Sequence, residues 1–314
     1  MTSNGPRIEQ RALNRLKLRQ LRLLVAVGQH ASIQNAAREL HVSQPTATKM
    51  IQDLENDFEV PLLTRTNRGV SPTVFGESLI RHGKLIFAQV SGAARELDDL
   101  KLGIGGRVVV GTLLAASSSL LPLTIDRLLS DRPKLAIGVV DGTNKVLMPA
   151  LLAGEIDLVV GRLPTHRHRD RITQEVLYDE RVVAVVGRQH PLADAATPSL
   201  DRIKRFDWIL PPGETTLRRE IDQFFVREGH YRPSVAIESV SYLTNRALLL
   251  KRDFIALMPA HVASPDIASG VLQVLDWRVP IGKGSVGVSH RGEESLSPAG
   301  IAFLDALRLS APTV

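Results

Sequence analysis

Two amphipathic stripes separated by a three-residue corner limit what residues 32–58 can become. Ile33, Ala36, Ala37 and Leu40 recur at i, i+3, i+4 and i+7, and Ala47, Met50, Ile51, Leu54 and Phe58 carry the same spacing one helix later. Between them His41-Val42-Ser43 is too short for anything but a tight helix-turn-helix corner. Ser32 and Ser43 stand where each helix needs an oxygen to accept an orphan amide of its first turn. Pro45 falls inside the first turn of the second helix, where its missing N–H costs little. With 47, 50, 51 and 54 turned inward, Gln44, Thr48, Lys49 and Gln52 face out. Such a face is either an ordinary solvated one, or one whose short hydroxyl, amide and cationic groups reach base edges and phosphates in a major groove.

Charge favours the second option. Residues 1–90 hold twelve Lys and Arg against seven Asp and Glu, so the head carries +5 of the formal net charge of +6. A basic head on a near-neutral body points to a polyanion, although solubility alone would also account for it. A first helix is expected from about Leu16 to His30, with Leu18, Leu21, Leu24, Val25 and Gly28 as its inner stripe and Arg19 and Arg22 on the wet side. After Phe58, Val60-Pro61 breaks the helix, and residues 62–70 read as strand, turn and return strand with Arg65 and Arg68 flanking the turn. Beside a helix-turn-helix this is a wing, able to lie along the backbone or in the minor groove; alone it would be a surface hairpin.

Thr73 to Gly103 reads as one long helix. Leu79, Ile86, Val90, Ala93, Leu97, Leu100 and Ile104 include a heptad seam from 86 to 104. About 28 residues make a rod of ~40 Å, and so narrow a seam wants a partner helix unless it packs on its own domain. Gly103-Ile104-Gly105-Gly106 is a hinge rather than a dinucleotide fingerprint, because no strand precedes it and a strand follows.

From Arg107 strands and helices alternate. Strands are expected at 107–112, 135–141, 157–162, 175–187 (two around a turn), 207–211, 234–240, 254–259, 271–277 and 284–291. Two α/β lobes of this kind enclose a cleft, and ligands sit beyond the strands' carboxyl ends. Polar groups mark those ends: Thr112 with Ser117-Ser118-Ser119, Thr143, and Arg162, faced from the second lobe by Thr215 and Thr216. The serines are expected to open a helix, as caps or as an anion site. Arg162 would match a ligand carboxylate bidentately, or serve as a salt bridge between domains.

Enzyme chemistry finds no support. Ser117–Ser119 lie in no G-x-S-x-G elbow, and His166-Arg167-His168 in a charged loop lacks further ligands nearby for a metal. Glu155 and Asp157 flank a helix-to-strand turn and are expected to serve it. With no cysteine, disulfides and thiolate metal sites are excluded. The N-terminal residues have no apolar h-region, and no run approaches the ~18 apolar residues of a membrane helix, so a soluble intracellular protein is expected, and the absence of cysteine fits a reducing cytoplasm.

Over Leu16 to Leu309 the chain resembles the LysR-type transcriptional regulators. The resemblance rests on Ala36-Ala37, Leu40, Ser43-Gln44-Pro45, Ile51, Leu54-Glu55, Pro61-Leu62 and Arg65. Ile33 and Leu63 replace the family's usual phenylalanines, and Lys49 replaces a common arginine, which keeps charge but loses the bidentate fork. The GTLLAASSSLLP segment points to the branch controlling sugar-binding-protein and aromatic-acid catabolic genes. The fold implied is α/β overall: an all-α winged helix-turn-helix over 1–75, a dimerising linker helix and hinge over 76–106, and a two-lobed effector domain like a periplasmic binding protein over 107–314. Lobe I would take about 107–176 and 278–314, and lobe II about 177–277. The implied DNA-facing set is Arg19, Arg22, Ser32, Gln34, Asn35, Ser43, Gln44, Pro45, Thr46, Thr48, Lys49, Gln52, Arg65 and Arg68. Thr112, Ser117, Ser118, Thr143, Arg162, Thr215 and Thr216 would bind an effector, an organic acid or a sugar. Promoter DNA, a second copy (as dimer and tetramer) and RNA polymerase are the implied partners, with no cofactor, no metal and no membrane. Two alternatives stay open: a regulator that is constitutive or takes a non-anionic ligand, and a cytoplasmic solute-binding protein without regulatory role.

Overall fold

The computed structural model describes residues 14–66, 69–101, 105–164, 172–227, 232–277 and 284–311. They form two compact units, divided between Ala94 and Arg95.

In the first unit, α1 (Leu18–His30), α2 (Ile33–Glu39) and α3 (Gln44–Phe58) precede the hairpin β1 (Leu63–Thr66) and β2 (Gly69–Pro72). Ser32 and Ser43 cap α2 and α3, each accepting the N–H three residues on, Asn35 and Thr46, at 3.3 Å. His41 turns the corner at φ 52°, and the Val42 N–H then reaches the Ala37 carbonyl at 2.9 Å. Ala36, Ala37 and Ala47 are buried with Leu23, Leu24, Val27, Ile51 and Leu54, so small residues let the helices cross closely over a leucine-rich centre.

The expected stripe of α1 needs correction. Leu18 is 49% exposed, while Leu23, Ala26 and Val27 are buried. The helix has two covered faces. One packs on α2 and α3. The other meets the long helix α4 (Val74–Lys101): a Cβ on Gly28 would lie 2.7 Å from Ile80 Cδ1, and one on Gly83 would lie 2.9 Å from Val25 Cγ2. Along α4, Leu79 and Ile86 are half-buried, Ala93 is exposed, and Val90 and Leu97 are 52% and 60% exposed. The side chain of Leu100 and all of Ile104 lie outside the described residues, as do Arg68, His166-Arg167-His168 and the side chain of Arg65.

The second unit holds two five-stranded sheets. In the first, β3 (Arg107–Thr112) lies parallel to β4 (Ala136–Asp141) and β5 (Leu158–Arg162). On its other side β12 (Gly284–His290) runs antiparallel to β5 and β6 (Thr173–Glu180). In the second sheet the order is β11 (Leu272–Val274), β7 (Val182–Gly187), β10 (Ile255–Pro259), β8 (Trp208–Leu210), β9 (Val235–Glu238). β5 and β10 are buried at every residue, as strands covered on both faces must be. β4 is the exception to that expectation: it is an edge strand, with Val139 and Val140 45% and 40% exposed.

Because β6 pairs with β12 along its whole length, the chain crosses to the second sheet at Arg181 and not at the expected 176/177. Asp157, expected to serve its helix-to-strand turn, instead ties the end of that turn to β3. Its carboxylate accepts the Val109 N–H at 2.8 Å and its own N–H reaches the Val109 carbonyl, which sets the register of β5 on β3. A nine-residue helix, Ala260–Ala268, lies where no element was expected, with Pro265 inside it. Aromatic packing of Trp208, Phe224, Phe225 and Trp277 fills one core of this lobe.

Candidate functional site

The outward face of α3 matches its pattern. Gln44, Pro45, Thr46, Lys49 and Gln52 are exposed, Thr48 is half-buried, and Gln44, Pro45, Thr48, Lys49 and Gln52 share one open concavity with Asp53 and Asn56. Asp53 and Asn56 lie in the helix's second half, beyond the polar stripe that the sequence pattern assigns to a groove. The Lys49 ammonium and the Arg19 and Arg22 guanidinium groups make no ion pair among the described residues and are available to phosphate. Ser43 and Thr46 are differently placed: their hydroxyls pair at 2.7 Å in the cap, so their first task is to start the helix. Gln34 and Asn35 are exposed on α2, and Ser32 is half-buried at its cap.

In the second unit a cavity of about 660 Å³ lies between the two sheets. All seven residues expected there line it: Thr112, Ser117, Ser118, Thr143 and Arg162 from one lobe, Thr215 and Thr216 from the other. Asp141, Asn144, Glu180, Ser239, Ser241 and Asn245 join them, and nothing in the local sequence pattern singled these out. Leu113, Leu114, Ile209 and Met258 supply apolar wall. The size suits a small metabolite.

Two details depart from the sequence reading. The serine run does lead into a helix, with Ser119 at its N-cap, but it is preceded by an element that was not expected and its cap bond is missing. A short helix, Leu114–Ser117, intervenes, which buries Ala115 and Ala116; Ser117 closes it by donating to the Leu114 carbonyl at 3.2 Å. The next helix begins at Leu120, and Ser119 at its N-cap makes no side-chain cap bond. The apolar Leu113–Ala116 run dictates this, since an extended path would leave it in water.

Arg162 does not present a free guanidinium. Its Nε donates to Glu180 at 2.5 Å and its Nη1 to Glu220 of the helix Thr216–Arg227. Glu180 lies on the same lobe and Glu220 on the other, so the second option read from the sequence, a bridge between lobes, is the one formed. The guanidinium lies against Gly284, where a Cβ would come 2.1 Å from Arg162 Cζ. Burial pushes the Glu180 carboxyl above its ordinary range, and the charge of Arg162 pulls it part of the way back. A second polar link joins the lobes at the Ala115 carbonyl, which faces the Tyr178 hydroxyl at 2.9 Å and His261 Nε2 at 2.6 Å. Thr215 caps its helix, accepting the Arg218 N–H at 3.2 Å, while the Thr143 side chain makes no cap bond to its helix.

Gly284→Ala is therefore expected to displace the Arg162 guanidinium and loosen the lobe-to-lobe link. Its thermal midpoint should fall, and it should fall less in an Arg162→Met background, where no guanidinium needs the space. Equal falls would place the strain elsewhere.

Comparison with known proteins agrees with both halves. The family described as "LysR substrate binding domain" matches residues 102–311, and "Bacterial regulatory helix-turn-helix protein, lysR family" matches residues 18–77. The chain is 32% identical over 301 residues to the HTH-type transcriptional regulator GbpR of Azospirillum brasilense, covering 95% of this chain and 88% of that regulator. It is 31% identical over 297 residues to the HTH-type transcriptional regulator PcaQ of Agrobacterium fabrum, covering 95% and 96%. Crystal structures of CbnR, a LysR family transcriptional regulator, share the fold with a TM-score of 0.61 at 22% identity, over 94% of this chain and 99% of that one. CbnR has also been solved with its target DNA. The relatives are regulators and not enzymes, and on a match that spans most of its length the chain belongs to the LysR family of DNA-binding transcriptional regulators, with a helix-turn-helix head and an effector-binding second unit.

Proposed function

We propose that α3 enters the major groove of promoter DNA, with Gln44, Thr48 and Gln52 at base edges and Lys49 on phosphate. Arg19, Arg22 and the wing arginines Arg65 and Arg68 hold the backbone or minor groove beside it. The observation that carries this is the outward face of α3, where Lys49 stands without an ion pair among exposed amides and hydroxyls. The exposed seam of Val90, Ala93 and Leu97 on α4 suits a second copy, giving a dimer and, by pairing of dimers, a tetramer on interrupted palindromes. A small organic acid or sugar in the cleft shifts the balance between two arrangements of the lobes, which alters DNA bending and the access of RNA polymerase. For that to work the ligand must bind the two arrangements unequally. The working compartment is the cytoplasm; among the described residues no helix is long and apolar enough to cross a membrane.

Two substitutions separate phosphate contact from base reading. Lys49→Ala is expected to weaken binding about equally on target and random DNA and to reduce the salt slope by about one unit. An unchanged slope removes Lys49 from the phosphate contacts. Thr48→Ala is expected to cost roughly 1–3 kcal/mol on target DNA alone. Filter binding over a salt series on both DNAs measures these, and an equal loss of Thr48→Ala on random DNA contradicts base reading.

A further inference from the structure

We infer that the cleft takes an uncharged, hydroxyl-bearing ligand of sugar or polyol chemistry, and that Glu220 already occupies the place at Arg162 that a ligand carboxylate would need. This rests on the reading of the cleft as the effector site and decides between the two ligand classes left open there.

Charge is the first ground. Among the described residues lining the cavity, Arg162 is the only cation, and both its Nε and its Nη1 are engaged by carboxylates. The lining also carries Asp141 and Glu180, so the wall is negative on balance, and Glu220 adds a further carboxylate at Arg162. An incoming carboxylate would meet these acidic groups, would find only Arg162 Nη2 left to donate to it, and would have to displace Glu220 or Glu180 to grip the guanidinium at two points. Like charges in a partly dehydrated cleft repel strongly, and no spare cation offsets that.

Hydrogen-bonding polarity is the second ground, and it is independent of charge. The wall holds buried acceptors without partners: Asn144 Oδ1, whose amide nitrogen is committed to the Arg162 carbonyl, and Glu180 Oε2. Asn245 adds a buried amide oxygen, and Arg162 Nη2 is the one unpartnered donor of the set. Arg162, Glu180 and Asn245 are each no more than 5% exposed. Groups like these call for a partner that donates. A hydroxyl donates and accepts at once, so a polyol satisfies the acceptors and Nη2 together. A carboxylate only accepts and would leave Asn144 and Glu180 unpaired. The Thr143 hydroxyl adds a group of either sense, and Leu113 and Met258 offer apolar surface to the carbon skeleton.

The test uses the full-length protein and matched ligand sets at equal concentration: glucose with glucuronate and glucosamine, galactose with galacturonate and galactosamine, arabinose, myo-inositol, and benzoate. Thermal shift and titration calorimetry read binding; footprinting on promoter DNA reads regulation. A neutral sugar or polyol is expected to bind about tenfold or more tightly than its acid, the equivalent of one unsatisfied buried group. Glu220→Gln, at a partly exposed position, is expected to narrow that gap by improving the acid. An acid or amine that binds the wild-type protein more tightly than its neutral counterpart overturns the inference, as does silence from every neutral member. An acid affinity that Glu220→Gln leaves unchanged overturns the role given to Glu220. Binding of a neutral ligand with an unaltered footprint upholds the ligand class and sinks effector control, whereas an acid that binds and alters the footprint does the reverse.

Discussion

Arg162→Ala is expected to destabilise the second unit by roughly 3–5 kcal/mol, because it strands a buried carboxylate without its counter-charge. Glu180 is 2% exposed, and its Oε1 accepts from Arg162 Nε. Removing the guanidinium leaves that carboxyl with the burial that already raises it and without the charge that lowers it. The folded-state value then rises further above the unfolded one. A carboxyl raised in this way contributes stability that is fully present below its unfolded value, near 4.3, and lost as pH climbs through the folded value. The deficit of Arg162→Ala against the wild type should therefore be small in acid and grow toward neutrality. Urea denaturation at about pH 5 and about pH 8 checks this. A deficit that does not change with pH contradicts a stranded Glu180. The double variant Arg162→Met with Glu180→Gln, which removes both buried charges, should recover much of the loss. DNA binding by the head, whose buried core shares no residue with this one, should persist in the single variant.

That pair also shows where reading the chain reached its limit. Arg162 at the end of a buried strand could be recognised, but its partners lie 18 and 58 residues away. Nothing in local spacing says that a carboxylate of the opposite lobe will occupy the guanidinium, so the sequence favours a ligand anion over a bridge. The helix-turn-helix was legible for the opposite reason. Its stripes, corner and caps are all local, and Ser32, Ser43, Ala36 and Ala47 act within a few residues of where they stand. Even there the period misled once. α1 is covered on two faces, and a search for a single stripe placed Leu18 inside and passed over Leu23 and Val27. Ala260–Ala268 is not legible locally because its residues form no polar-apolar stripe and it carries Pro265 in its interior. Around Ser117 the helix start after the serines was legible, but the short helix Leu114–Ser117 before it was not, because burial of Ala115 and Ala116 decides that path. The cleft's residues were found by the rule that strand ends bear ligands, but its polarity depends on which oxygens lack partners, a property of the folded wall alone.

Gly76→Ala is expected to impair DNA binding by the head more than it lowers the head's stability. Gly76 lies in the first turn of α4, and a Cβ there would stand 2.0 Å from the Leu62 carbonyl oxygen and 3.3 Å from Pro72 Cβ. The obstacle is backbone, so no side-chain rotation relieves it. That same carbonyl accepts the Thr73 N–H at 2.9 Å, and the Thr73 hydroxyl donates to the Pro61 carbonyl at 2.7 Å while accepting the Gly76 N–H at 3.1 Å. On the other side of Leu62, Glu55 Oε1 of α3 accepts the Leu62 and Leu63 N–H groups at 2.8 and 3.2 Å. α3, the start of the wing and the start of α4 are thus joined through one residue, and a methyl group at Gly76 must part at least one of these bonds. Overpacking of this kind costs roughly 1–3 kcal/mol. The functional loss should exceed the stability loss, because shifting β1 against α3 changes the spacing at which wing and helix meet DNA. Affinity for target DNA should fall by about tenfold or more, the worth of one good base or phosphate contact. Ligand-induced stabilisation of the second unit should stay as in the wild type, since none of these bonds reaches it. Calorimetric scanning, target-DNA titration and a ligand thermal shift on the same preparation give the three readings. A variant that melts and binds DNA like the wild type would show that β1 can give way, and that wing and helix are not held in one register by Leu62.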